Sequence, residues 1–156
     1  MAEAYRIPVP AFVRLGNKLT TLFVRANINV GPMRYSWLLT VRGRKSGLPR
    51  TTPVTIVERG GKNYLFAPYG VVDWVRNLRA AGGGTLRHGR RIKSFTAVEL
   101  TPHEAAPIMQ EDFATVPAVV RKFFDVTPSS SLEDFEREAQ RHPVFQVTMA
   151  SDGDAR

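Results

Sequence analysis

With 156 residues, 43% of them hydrophobic, the chain is long enough for one domain with a real core and too apolar for a disordered segment. It has no cysteine, which excludes disulfides, thiolate metal sites and a cysteine nucleophile. A net charge of +8 favours anionic partners: nucleic acid, a membrane surface, or a phosphorylated or carboxylate-bearing ligand.

The N-terminus carries Glu3, Pro8 and Pro10 where a secretory signal needs cations and then an apolar run. No stretch approaches the roughly 18 apolar residues of a membrane span. A cytoplasmic protein is the expectation.

Residues 11–28 place Phe12, Leu15, Leu19, Leu22, Phe23 and Ile28 at helical spacing, with Arg14, Lys18 and Arg25 largely opposite. This predicts an amphipathic helix that ends at Gly31-Pro32. Its stripe either packs across the mouth of a core or lies on an anionic membrane, which would make the protein peripheral at the inner membrane face.

Tyr35 to Arg42 is rich in aromatic and aliphatic residues and predicts a strand, interrupted by the loop Gly43 to Pro49. Thr51 to Glu58 predicts a second strand, in which Pro53 suggests an edge or a bulge. Gly60-Gly61 turns the chain back into a strand over Asn63 to Ala67. A short helix follows, with Trp74, Val75, Leu78 and Ala81 on one face, Asp73 as N-cap and Gly82 as C-cap.

Thr85 to His88 and Ile92 to Leu100 form another hairpin around Gly89-Arg90. Thr101-Pro102-His103-Glu104 has the spacing of a capping box and starts a helix running to about Phe113. Pro117 opens a short helix, Ser131 caps a last one, and Val144 to Met149 alternates like a final strand. The expected fold is therefore mainly β (α+β): about six antiparallel strands, with flanking helices, curled into a small barrel that avoids open edges. Residues 1–150 form a single domain in this scheme, and 151–156 a disordered tail.

The loop Arg42-Gly43-Arg44-Lys45-Ser46-Gly47-Leu48-Pro49-Arg50 is the most informative stretch. Two glycines allow close backbone approach, and the basic side chains and the Ser46 hydroxyl are the donors a phosphate or carboxylate needs. A solvated basic turn is the alternative. It is not a Walker A loop, because Arg44 precedes Lys45-Ser46 where that motif needs glycine. In Ala67-Pro68-Tyr69-Gly70-Val71-Val72-Asp73-Trp74 a strand ends and a helix begins, so backbone N–H groups there suit the polar edge of a planar ligand.

His88, His103 and His142 lack ligand spacing, so no metal is expected and they read as three unrelated histidines. Serines 129–131 lack a nucleophile elbow. No acid–base pair is evident and the catalytic residues stay unassigned, so any catalysis must come mainly from a cofactor.

The run Leu38-Leu39-Thr40-Val41-Arg42-Gly43-Arg44-Lys45-Ser46-Gly47-Leu48-Pro49-Arg50, then Pro53, then Trp74-Val75-Arg76-Asn77-Leu78-Arg79-Ala80, resembles the deazaflavin-dependent nitroreductase family, which uses coenzyme F420. The resemblance covers about residues 35–100. It implies a split β-barrel in which Arg44, Lys45, Ser46 and Arg50 hold the cofactor's anionic tail. Thr52, Pro53 and Val54 would line the cofactor, Ala67, Pro68, Tyr69, Gly70 and Val71 would run beside its ring, and Trp74 and Asn77 would close the site.

Two departures stand out. The turn after the third strand is Pro68-Tyr69-Gly70-Val71-Val72 rather than small, polar and glycine-rich. Phe123, Phe124 and Phe135 occur where some members carry substrate-side tyrosines. The implied activity is hydride transfer from reduced F420 to a small hydrophobic acceptor such as a quinone, an enone or a nitro-compound. FMN in the same barrel and a non-catalytic binding module are the alternatives. A nucleic-acid partner is disfavoured, because the basic loop has no interleaved aromatics. The oligomeric state is left open.

Overall fold

The computed structural model describes residues 36–151. The helix expected over 11–28, and the tail beyond Ser151, lie outside them.

Six strands form: β1 (Ser36–Arg42), β2 (Pro49–Arg59), β3 (Lys62–Phe66), β4 (Gly83–His88), β5 (Arg91–Glu99) and β6 (Val144–Met149). They pair antiparallel in the order β1-β2-β3-β6-β5-β4, and β4 closes the barrel by pairing with β1 over Leu38 to Thr40. The turn between β2 and β3 is made by Gly60 and Gly61, both at positive φ (59° and 75°). That geometry matches the right-handed twist of the flanking strands.

Pro53 lies inside β2, opposite Leu38 of β1. The ladder to β3 covers only Ile56 to Arg59, so a proline at 53 removes no bond to β3. It marks a stretch of β2 whose second edge has no strand partner among the described residues.

Side chains alternate across the strands, as a barrel wall requires. Leu39, Val41, Leu65, Leu86, Phe95, Phe145 and Val147 fill the interior, where Val75 and Leu78 join them from the helix α1 (Asp73–Ala81). On the outer face, Tyr64 and Val144 pack against Ala105, Ala106 and Met109 of α2 (Pro102–Asp112). A 3-10 turn (Phe113–Thr115), α3 (Ala118–Arg121) and α4 (Leu132–Ala139) continue this helical layer. The result is the antiparallel barrel with flanking helices read from the sequence, in agreement with the split barrel that the resemblance implies.

Two capping boxes form as their spacing demands: Thr101 with Glu104 at α2, and Ser131 with Asp134 at α4. The cap of α1 differs from expectation. Val72 is the N-cap and Asp73 the first helical residue, its carboxylate 3.5 Å from Arg44 and 3.9 Å from Arg76. Gly82 ends α1 in the left-handed conformation, as predicted. Gly83 and Gly84 belong to β4, which starts two residues before the expected Thr85. A Cβ on Gly84 would stand 2.2 Å from the Thr40 carbonyl oxygen, so only glycine fits at the β1–β4 seam.

Candidate functional site

A cleft with a volume of about 1060 Å³ opens among the described residues. This is the upper end of the range for small-molecule sites, roughly 300–1,000 Å³. One wall is the loop after β1 together with Arg50 to Thr55 of β2. The turn from Pro68 to Asp73, with Trp74 and Asn77 of α1, forms the second. Met109, Phe113, Val116, Pro117, Val120 and Phe124 make a third, apolar wall.

The basic loop is held by its own backbone. Gly43 N–H donates to the Leu48 carbonyl (2.8 Å), Gly47 N–H to the Gly43 carbonyl (2.9 Å), and Leu48 N–H to the Ser46 hydroxyl (3.2 Å). It is also tied to α1. Arg44 donates from its backbone N–H (3.1 Å) and its guanidinium (2.8 Å) to Asn77 Oδ1, and its other terminal nitrogen lies 3.5 Å from Asp73 Oδ1. Asn77 is buried, so these bonds satisfy a side chain that water does not reach. Lys45 and Arg50 are exposed, and neither has an ion-pair partner among the described residues.

Among the described residues, β2 from Pro49 to Thr55 is paired only to β1, and its other edge, which has no strand partner among them, borders the cleft. Such an edge can hydrogen-bond the polar rim of a flat ligand. Trp74 is half-buried, lines the cleft and leans on core Phe145 with ring centroids 6.1 Å apart. It therefore packs against the core and closes the cleft at the same time. Tyr69 lines the cleft edge-on to Phe123, ring centroids 5.1 Å apart, and burial pushes its phenol above the usual value.

Of the residues picked out in sequence, Arg44, Lys45, Ser46, Arg50, Thr52, Pro53, Val54, Pro68, Tyr69, Trp74 and Asn77 all line this one cleft. Ala67, Gly70 and Val71 do not. Ala67 and Val71 point into the barrel core, and Gly70 is a buried turn residue at φ 77°.

Of the wall from Met109 to Phe124, the sequence reading singled out only Phe124, through the resemblance, and missed the rest. Its only signal is that Phe113, Val116, Val120 and Phe124 recur at helical spacing, which equally describes an ordinary core face.

The histidines are indeed separate, but His142 is not a simple helix-end residue. It is buried, with Nδ1 at 3.2 Å from the Ala67 carbonyl, Nε2 at 3.0 Å from Glu138 Oε1, and its ring stacked on Phe124. Ala67 N–H also donates to the Pro143 carbonyl at 3.0 Å. The end of β3 that leads into the cleft turn is thus fastened to the chain segment after α4.

The family model for F420H(2)-dependent quinone reductase matches residues 19–122, two-thirds of the chain and every wall of the cleft except its last residue, Phe124. The chain belongs to the F420H2-dependent quinone reductase family. It is accordingly an F420H2-dependent reductase, with coenzyme F420 as cofactor. Solved structures agree in fold. An F420-H2 dependent reductase (FDR-A) superposes with TM-score 0.52 and 24% identity, over 74% of this chain and 95% of that one. A protein described as a domain-swapped dimer gives TM-score 0.52 and 22% identity, over 88% of this chain and 97% of the other. No curated protein sequence matches the chain. Among the described residues of this reductase, no helix is long and apolar enough to cross a membrane.

Proposed function

We propose that this F420H2-dependent reductase passes a hydride to a small apolar acceptor, of which a quinone is the best fit and an enone or nitro-compound the next. The observation that carries this is the make-up of this cleft: Lys45 and Arg50 without an ion-pair partner among the described residues, beside them an edge of β2 without a strand partner among those residues, and an apolar wall of Val116, Pro117, Val120 and Phe124.

These donors suit coenzyme F420, a flat deazaflavin with an anionic phosphate and carboxylate tail. Lys45 and Arg50 would bind the tail by charge-assisted hydrogen bonds, with Ser46 between them. Arg44 would contribute its remaining donors while Asn77 holds it in place. The backbone of Thr52, Pro53 and Val54 would meet the ring's polar edge, and Pro68, Tyr69 and Trp74 would flank the ring. Ala67, Gly70 and Val71 would act from beneath, by fixing the path of that turn. When bound and reduced, the cofactor supplies a hydride; the protein supplies placement, charge complementarity and exclusion of water. The apolar wall favours acceptors without charge, because a charged one would lose hydration there without gaining a partner.

The test is a titration of purified protein with coenzyme F420, FMN and FAD, followed by Trp74 and Trp37 fluorescence. Saturable quenching by F420, and little by the flavins, is expected. Binding of FMN in preference to F420 would contradict the cofactor placement.

A further inference from the structure

Hydride transfer to a carbonyl acceptor leaves one requirement that the cofactor does not meet, a proton for the acceptor's oxygen. The described groups around the cleft that carry an ionisable proton or charge are Arg44, Lys45, Arg50, Tyr69, Asp73 and Asp112. Asp73 sits 3.5 Å from Arg44 and 3.9 Å from Arg76, and Asp112 is paired with Arg59. Arginine does not release its proton near neutral pH. Lys45 belongs to the loop suited to the anionic tail. That leaves one hydroxyl acid.

We propose that Tyr69 is the proton donor to the reduced acceptor in this reductase. The inference rests on the reading of the cleft given above. Tyr69 stands where the turn before α1 meets the apolar wall, its ring fixed edge-on to Phe123. Tyr69 lines the same cleft as Val120 and Phe124, so an acceptor held against that wall shares the cleft with the phenol. Burial keeps the phenol protonated beyond the ordinary range, which is the form an acid must have.

The step balances as follows. One carbonyl oxygen of the quinone takes a hydride, two electrons and a proton, from the reduced deazaflavin, and the ring π pairs shift so that the ring becomes aromatic and the negative charge falls on the second carbonyl oxygen. The Tyr69 O–H bond breaks and its proton joins that oxygen, and the phenolate then recovers a proton from water. Besides Asp73 and Asp112, the nearby charged groups are Arg44, Lys45 and Lys122, whose Nζ lies 5.9 Å from the centre of the Phe123 ring.

The experiment compares wild type with Tyr69→Phe, using F420H2 and menadione across pH. The variant keeps the ring and loses only the hydroxyl. Wild type should turn over with kcat falling on an alkaline limb, and Y69F should lose kcat by a factor on the order of 10² and lose that limb, while F420 affinity by Trp74 quenching is retained. The second readout needs no cofactor. The phenolate absorbance of cofactor-free wild type minus that of Y69F should rise above the ordinary phenol value of about 10, in step with the limb.

Fluorotyrosine incorporation, which makes the phenol more acidic, should move the limb to lower pH even if Y69F does not fold. Unchanged kcat and limb in Y69F, a limb that ignores fluorination, or a phenol that ionises near neutral pH would each overturn the proposal. Absence of turnover in wild type would instead bring down the acceptor reading itself, and this inference with it.

Discussion

Asn77 Oδ1 receives two hydrogen bonds from one residue, the backbone N–H and the guanidinium of Arg44, at 3.1 and 2.8 Å. A residue in the first turns of α1 thereby fixes the conformation of a loop that precedes it by about thirty positions. The two motifs that make the family resemblance specific are thus in direct contact, each holding the other's geometry.

Asn77→Ala should therefore weaken F420 binding without touching the cofactor's main cationic contacts. Losing both bonds, with Arg44 left only to Asp73, should cost about 1–2 kcal/mol of affinity. Asn77→Asp keeps an acceptor for Arg44 and should stay nearer to wild type. Fluorescence titration of the folded variants measures both; equal affinity of Asn77→Ala and wild type would mean the loop needs no anchor.

In the proposed placement, Lys45 and Arg50 bear on the tail directly. Lys45→Ala or Arg50→Ala should each reduce F420 affinity by about 1–3 kcal/mol, and the affinity of each variant should fall less steeply with salt than that of wild type. Neither side chain has an ion-pair partner to lose among the described residues, so thermal stability should change by no more than about 0.5 kcal/mol. A large loss of stability would assign these residues to folding and not to the ligand.

At the β1–β4 seam, Gly84→Ala should be among the most damaging small changes in the barrel. Its Cβ would meet the Thr40 carbonyl oxygen at 2.2 Å, and that backbone cannot yield without breaking the ladder. A loss of roughly 1–3 kcal/mol or more is expected. Gly47→Ala meets nothing within 4 Å and bears only the strain of φ +70°, about 1–2 kcal/mol. Thermal melts of the two variants should rank in that order; the reverse ranking would contradict the closed seam.

Glu138 ties acid stability to the site. Its burial would raise the carboxyl's pKa, but hydrogen bonds from His142, Arg141 and the Asp125 N–H outweigh it, so the carboxyl lies below the usual value. A depressed folded value means that the ionised form stabilises the fold fully above the unfolded value of about 4.3 and loses this as pH falls through the lower folded value. Glu138→Gln should be less stable than wild type at neutral pH, with the gap narrowing below about pH 4. Denaturant melts across pH check this, and a gap that is constant through that window would refute it.

Much of the fold was legible because its signals are local. Alternating strands, the Gly60-Gly61 and Gly89 turns, the Thr101–Glu104 capping box and the Ser131 cap each depend on a few adjacent residues, and all form. The N-cap of α1 was misplaced because Asp73 is drawn to Arg44, a partner far away in sequence. The basic loop, β2 and the start of α1 were marked by motif. The apolar wall of α2 and α3 was not, since an apolar face looks the same whether it borders a cleft or a core. The His142–Glu138 contact follows helical spacing, but its link to Ala67 joins positions 75 apart and leaves no trace in the chain itself.

The most direct test of the central claim is anaerobic stopped-flow mixing of the protein, loaded with F420H2 deuterated at its hydride-bearing carbon, with menadione. The account predicts single-turnover oxidation of the deazaflavin, slower with the deuterated than with the protiated cofactor, and menadione recovered as its hydroquinone. Bound cofactor that stays reduced in the presence of menadione, enones and nitroarenes alike would contradict it.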